Sequence, residues 1–181
     1  MSEPSPPGDR VGVYPLSSNQ LLSWYQPILT PTAPAHYWHL PLGMRITGAL
    51  DVAAFRSSLG ALVQRHASTR TTFERSLFRR PRQRVHKSVP VVMAVEDLRA
   101  LDPDVRQADL RRRLQELLKQ PFDWEKTPPW RSALFQLEDQ EHLFFAAIHH
   151  IIADAWSQAV LFRELSALYQ AFSQGEPSPL R

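Results

Sequence analysis

Two adjacent histidines, His149 and His150, interrupt the apolar run "LFFAAIHHIIADAWSQAVLF" at residues 143–162, and Asp154 follows four residues after the second. An imidazole takes or gives a proton near neutrality, which suits it to acid–base work. Held within hydrogen-bond reach of a reacting amine or hydroxyl, such a group speeds proton transfer by roughly 10²–10⁴-fold. The same residue types also ligate metals, and His150 and Asp154 with a remote His36 or His39 would make a mononuclear site. Neighbouring side chains of an extended strand point to opposite faces, which argues against both histidines serving one ion. One is expected to face the body of the domain and the other its outer surface or a cleft.

The elements that position these residues follow from periodicity. "RSALFQLEDQEHLFFAAIHH" (131–150) predicts two strands around a polar turn. The second strand is apolar on both alternations, as in a strand covered on both faces. From Asp154 onward a helix is expected, with Trp156, Val160, Leu161, Leu165, Leu168 and Phe172 facing inward. His149 and His150 therefore fall at a strand end, in a short connection to a helix, where α/β proteins commonly carry chemistry.

Upstream, Ser17 and Gln20 have capping-box spacing ahead of Leu21, Tyr25 and Ile28, with Pro27 expected to kink or stop that helix. Residues 36–48 suggest a strand bent near Pro41. Asp51 is placed to cap a helix over 51–66 with Val52, Phe55, Leu59 and Leu62 on one stripe. Asp102 and Pro103 open another over 102–120, with Leu110, Leu114, Leu117 and Leu118 as its apolar face. "TRTTFER" and "VPVVMAVEDL" read as strands. Helices interleaved with strands imply an α/β domain with a mixed β-sheet flanked by helices.

Composition excludes several function classes. The 181 residues, 43% hydrophobic and 22% charged, suit one globular domain with its own core. There is no cysteine, which rules out disulfides, thiolate zinc sites and cysteine nucleophiles. No apolar run approaches the roughly 20 residues of a membrane span, and "MSEPSPPGDR" has no apolar signal core. A cytoplasmic location is expected. The clusters "RRPRQR" (79–84) and "RRR" (111–113) read as solvated faces rather than a nucleic-acid surface, because no nucleic-acid motif accompanies them.

"HHIIADAWS" is similar to the His-His-x-x-x-Asp-Gly motif of the condensation domains of nonribosomal peptide synthetases, acyltransferases of the chloramphenicol-acetyltransferase-like superfamily. The bare HxxxD pattern is shared with plant-type acyltransferases and wax-ester synthases. Three further segments resemble condensation-domain motifs in family order: "LSSNQLLSWYQ", "RHASTRTTFE" and "QPFDWEKTPPWRSALFQL". The resemblance covers nearly the whole chain and implies a chloramphenicol-acetyltransferase-like half-domain over 14–174, a flexible leader over 1–13 and the start of a linker over 175–181.

In that family the amine of an acceptor attacks the thioester of a donor, both carried on the 4'-phosphopantetheine arms of carrier proteins. The resemblance implies that His150 is the catalytic imidazole, that His149 is structural, and that Asp154 turns away to pair with a buried arginine, Arg70 in preference to Arg65. Ala155, Trp156 and Ser157 would flank the approach of the substrate arm. No metal and no bound cofactor are implied; acyl-CoA is the donor if the parent is a starter domain acylating the first amino acid.

The chain departs from the family where Ala155 replaces the usual glycine and where Ala67 and Thr69 replace Glu and Leu. It also corresponds to the first of two similar halves, so an excised or truncated half, inactive by itself, is expected. A natural half pairing with another chain is the alternative. The start reads as a genuine N-terminus. The partners implied are carrier proteins, the missing C-terminal half and adjacent synthetase domains, with no nucleic acid and no membrane. Two other readings stay open: a non-catalytic module that recruits a carrier protein or oxygenase, and an ester-forming HxxxD acyltransferase.

Overall fold

The computed structural model describes residues 11–75 and 80–180. Its strands are β1 (Gly12–Pro15), β2 (His39–Thr47), β3 (Thr71–Glu74), β4 (Arg82–Val85), β5 (Met93–Asp97), β6 (Trp130–Glu138) and β7 (Glu141–His149). Its helices are α1 (Ser18–Leu29), α2 (Val52–Arg65), α3 (Pro103–Lys119) and α4 (Ala155–Ser173). The larger sheet has order β2-β7-β6-β5, with only the β5–β6 pair parallel, and a small antiparallel sheet has order β1-β4-β3.

The larger sheet is the floor of the site, and both its faces are covered. Phe144, Ala146 and Ile148 of β7 join one core cluster with Phe55, Leu59 and Leu62 of α2 and Leu161, Leu165 and Leu168 of α4. The intervening Phe145 and Ala147 join a second cluster with Leu110 of α3. This two-sided burial is why β7 is apolar throughout. Pro41 sits within β2, an edge strand, where a missing N–H costs no ladder bond to a further strand.

Several expectations hold in detail. The Ser17–Gln20 capping box is present, Asp51 accepts from the Ala53 and Ala54 amides, and the β6–β7 hairpin turns over Asp139 and Gln140. Four differ. Pro27 does not end α1, which continues to Leu29; Pro27 is exposed, so water can serve the freed carbonyl one turn earlier. Asp102 makes no side-chain cap; its carbonyl accepts from the Arg106 amide instead. Trp156 does not face inward but is 80% exposed, because the first turn of α4 projects past the core cluster that its later turns join. Gly12 and Val13, expected within the leader, instead belong to β1 and pair with Val85 and Arg84.

Of the arginine clusters, Arg79 lies outside the described residues. Arg84 pairs with Glu74, Arg112 with Asp109 and Glu116, and Arg113 with Asp109 and Glu96, as on a solvated face. No helix among the described residues is long and apolar enough to cross a membrane.

Candidate active site

β7 ends at His149, and the chain turns over His150–Ile152 before α4 begins. The two histidines diverge as alternation requires. His149 is 3% exposed, whereas His150 is exposed.

The His149 ring fixes the turn. Its Nδ1 accepts from the Ile151 amide at 3.0 Å, which places the proton of the neutral ring on Nε2. Trp124, His39 and Phe122 surround it, with ring centroids 4.4, 5.5 and 6.3 Å away. Burial pushes its pKa down to about 3, and the neighbouring His39 and His150 add smaller contributions in the same direction. His149 is thus a buried, neutral ring bonded to the turn.

His39, opposite His149 in the β2–β7 register, is buried and bonded through Nδ1 to the Leu118 carbonyl at 2.6 Å. Burial lowers its pKa. These bonds commit His39 to the interior, and no group of three or more His, Asp or Glu side chains among the described residues is placed to hold a metal. The metal alternative built on His150, Asp154 and His36 or His39 is not assembled.

The His150 amide donates to the Trp38 carbonyl at 2.9 Å, and the two rings meet edge-on with centroids 6.3 Å apart. The backbone around this residue is therefore tied on both sides, by Trp38 before α4 and by the His149–Ile151 bond, while its ring stands in the open.

Asp154 behaves differently from the expectation. It is the N-cap of α4, accepting from the Ser157 amide at 2.7 Å and the Ser157 hydroxyl at 2.6 Å. The Ser157 hydroxyl first, then its amide, hold the carboxyl below its ordinary pKa. Arg70 is fully buried, but its Nη1 donates to the His86 and Lys87 carbonyls rather than to Asp154. The reason is local: the extended backbone at Asp154 (φ −130°, ψ −176°) sets the carboxylate over the first turn of the helix, where it meets two donors three residues on. Arg65 instead reaches Glu164 at 3.1 Å, and His66 meets the same carboxylate at 2.6 Å, joining α2 to α4.

Ala155 is exposed, and no non-glycine residue among those described has positive φ. The glycine usual at this position is therefore not needed here for its backbone angle. Beside it, a largely apolar cleft lies between α2, α4 and the sheet, lined by side chains such as Leu59, Phe144, Ile148 and Val160, with Trp156 and Ser157 among its walls.

Sequence reasoning singles out His149, His150 and Asp154, which the structure gathers at one turn. It gives no role to Trp38, Phe122, Trp124 or Ile151, which hold that turn. The segment "QPFDWEK" carries the signal for two of them, an aromatic pair shortly after a proline.

The model of the condensation-domain family matches residues 11–181. The chain is 37% identical over 177 residues to a chondramide synthase of Chondromyces crocatus, covering 98% of this chain and 4% of that protein. It is 39% identical over 166 residues to one of the linear gramicidin synthase proteins of Brevibacillus parabrevis, covering 92% of this chain and 3% of that one. Among solved structures, the X-domain from teicoplanin biosynthesis in complex with OxyB superposes with a TM-score of 0.79 at 32% identity, over 100% of this chain and 38% of that one. A variant of the starter condensation domain of rhizomide synthetase, with C8-CoA and Leu-SNAC, gives a TM-score of 0.83 at 22% identity, over 93% of this chain and 37% of that one, a likeness of fold. The family match across the described residues, on a two-faced sheet that ends in His-His-x-x-x-Asp, has one meaning: this chain belongs to the condensation-domain family.

Proposed function

We propose that this chain supplies the N-terminal half of a peptide-bond-forming condensation domain, with His150 as its proton-handling group. The observation that carries the reading is the divergence of the histidine pair: one ring buried, neutral and bonded to the turn, the other exposed at the strand end with its backbone tied.

The amine nitrogen of an acceptor attacks the carbonyl carbon of a donor thioester and forms a zwitterionic tetrahedral intermediate. His150 in its neutral form accepts a proton from that nitrogen. Collapse breaks the C–S bond, and the departing sulfur takes up the proton, leaving an amide and a free thiol. His149 and Trp38 direct the imidazole. Asp154 takes no proton; it starts α4 and so sets where the turn ends. Ala155, Trp156 and Ser157 flank the approach of the substrate arm. The substrates are carried on the 4'-phosphopantetheine of carrier proteins, or delivered as acyl-CoA if the parent domain is a starter. The chain spans 36–42% of the solved neighbours it resembles, so the remainder of the site is contributed by a second half. The cellular setting that fits this role is cytoplasmic.

The test joins the chain to a condensation-domain C-terminal half and supplies a loaded donor carrier with an aminoacyl acceptor. Condensed product by mass spectrometry supports the reading, and undiminished product from His150→Ala excludes it. A second reading is favoured by the X-domain likeness, which covers the whole chain at 31–32% identity: a module that docks a partner protein without chemistry. Carrier or oxygenase binding with no product would favour that role.

A further inference from the structure

Arg131, on β6, is half-buried and makes four hydrogen bonds among the described residues, none to a carboxylate. Nη1 donates to the carbonyls of Leu117 (3.1 Å) and Gln120 (2.7 Å) and to Gln120 Oε1 (3.2 Å), and Nη2 donates to the Pro121 carbonyl at 2.9 Å. Its guanidinium carbon also lies 3.8 Å from the centroid of the Phe122 ring. Burial lowers its pKa to about 10. A cation withdrawn from water without a counter-charge is costly unless acceptors and dipoles compensate it. Here the C-terminal carbonyls of α3 do so, at the negative end of the helix dipole.

What this cation organises is the segment that boxes His149. Gln120 closes α3, and the chain then carries Phe122 and Trp124 onto the buried rings of His39 and His149. Phe122 lies 4.5 Å from the His39 ring and 6.3 Å from that of His149, and Trp124 lies 4.4 Å from His149. The same helix end holds His39 through the Leu118 carbonyl at 2.6 Å. The His149 ring in turn holds the Ile151 amide at 3.0 Å, and between them sits His150.

We propose that Arg131 is a positioning residue for His150, acting through residues 120–124 and the His149 ring. The inference rests on the reading of His150 as the proton-handling group. Lysine keeps the charge but not the planar fork that spans Leu117, Gln120 and Pro121 while lying on Phe122, so Arg131→Lys is the informative substitution.

In the chain itself, ¹⁵N resonances of the His149 ring report its tautomer, and the Ile151 amide reports the bond between them. Both are expected to move in Arg131→Lys, while the resonances of Leu59 and Leu168, in the cluster on the opposite face of the sheet, stay in place. In a complete condensation domain carrying the same substitution, kcat is expected to fall by about 10²-fold with KM changed less than about twofold, the loss that a misplacement of about 1 Å brings. Guanidinium added to Arg131→Ala is expected to restore part of kcat.

Unmoved His149 and Ile151 signals, or an unchanged kcat in Arg131→Lys, would overturn the positioning role. So would a loss of activity that matches the loss of folded protein. Full activity in His150→Ala would instead remove the function reading on which the inference rests. If Arg131→Ala does not fold, the lysine variant and its resonances decide the matter.

Discussion

Acid should weaken this fold, with the buried ring of His149 as a principal contributor. Its pKa is about 3 in the folded chain because the ring is buried, against an ordinary value of 6.5. The folded pKa lies below the unfolded one, so between pH 6.5 and 3 the unfolded chain binds the extra proton and stability falls with pH. Each pH unit in that window costs about 1.4 kcal/mol, so a shift from neutral pH to pH 5 removes about 2 kcal/mol from this residue alone. For a domain of this size that is a fall in melting temperature of about 4–8 °C.

Other buried histidines, His39 and His142, also have lowered pKa values and add to the total. A comparison with His149→Phe separates them. The variant keeps a ring against Trp124 but loses the bond to the Ile151 amide, at a cost of about 1–3 kcal/mol at pH 7. Urea denaturation at pH 7, 6 and 5 should show wild type more stable at pH 7, with the gap narrowing by about 2 kcal/mol at pH 5. Parallel curves for the two proteins would refute the claim that His149 is held neutral by burial.

Other substitutions separate the roles of the surrounding residues. Asp154→Ala should lower stability modestly through loss of the α4 cap, well short of the roughly 3–5 kcal/mol that a broken buried ion pair costs, as read by urea unfolding. Glu164→Ala should cost about 2 kcal/mol or more, because Arg65 and His66 both lose their shared carboxylate at the α2–α4 interface. Phe55→Ala should cost about 3–5 kcal/mol in the same assay, since that ring is 1% exposed and packs edge-on against Phe144 and Tyr169.

What the sequence makes legible depends on range. Periodicity places α2, α3, α4 and the β6–β7 hairpin because each repeats its apolar residues at a regular spacing. Alternation along "AAIHH" is enough by itself to send the two histidines to opposite faces. The failures are of two kinds. Trp156 and Pro27 escape periodicity, which says which residues align, not where a helix overhangs its support or meets water. Resemblance gives Asp154 a distant partner, while a nearer donor pair on Ser157 satisfies it within three residues of chain. The box around His149 is not legible at all: Trp38, His39, Phe122 and Trp124 come from separate segments, and only the register of β2 on β7 and the end of α3 bring them together.

The role of His150 is tested most directly by single-turnover amide formation in a complete domain built on this chain, comparing wild type with His150→Ala at saturating donor and acceptor. The rate is expected to fall by roughly 10²–10⁴-fold with both carriers still bound. A rate equal to wild type would show that the exposed ring at the end of β7 does not handle the proton, and the proposed chemistry would be wrong.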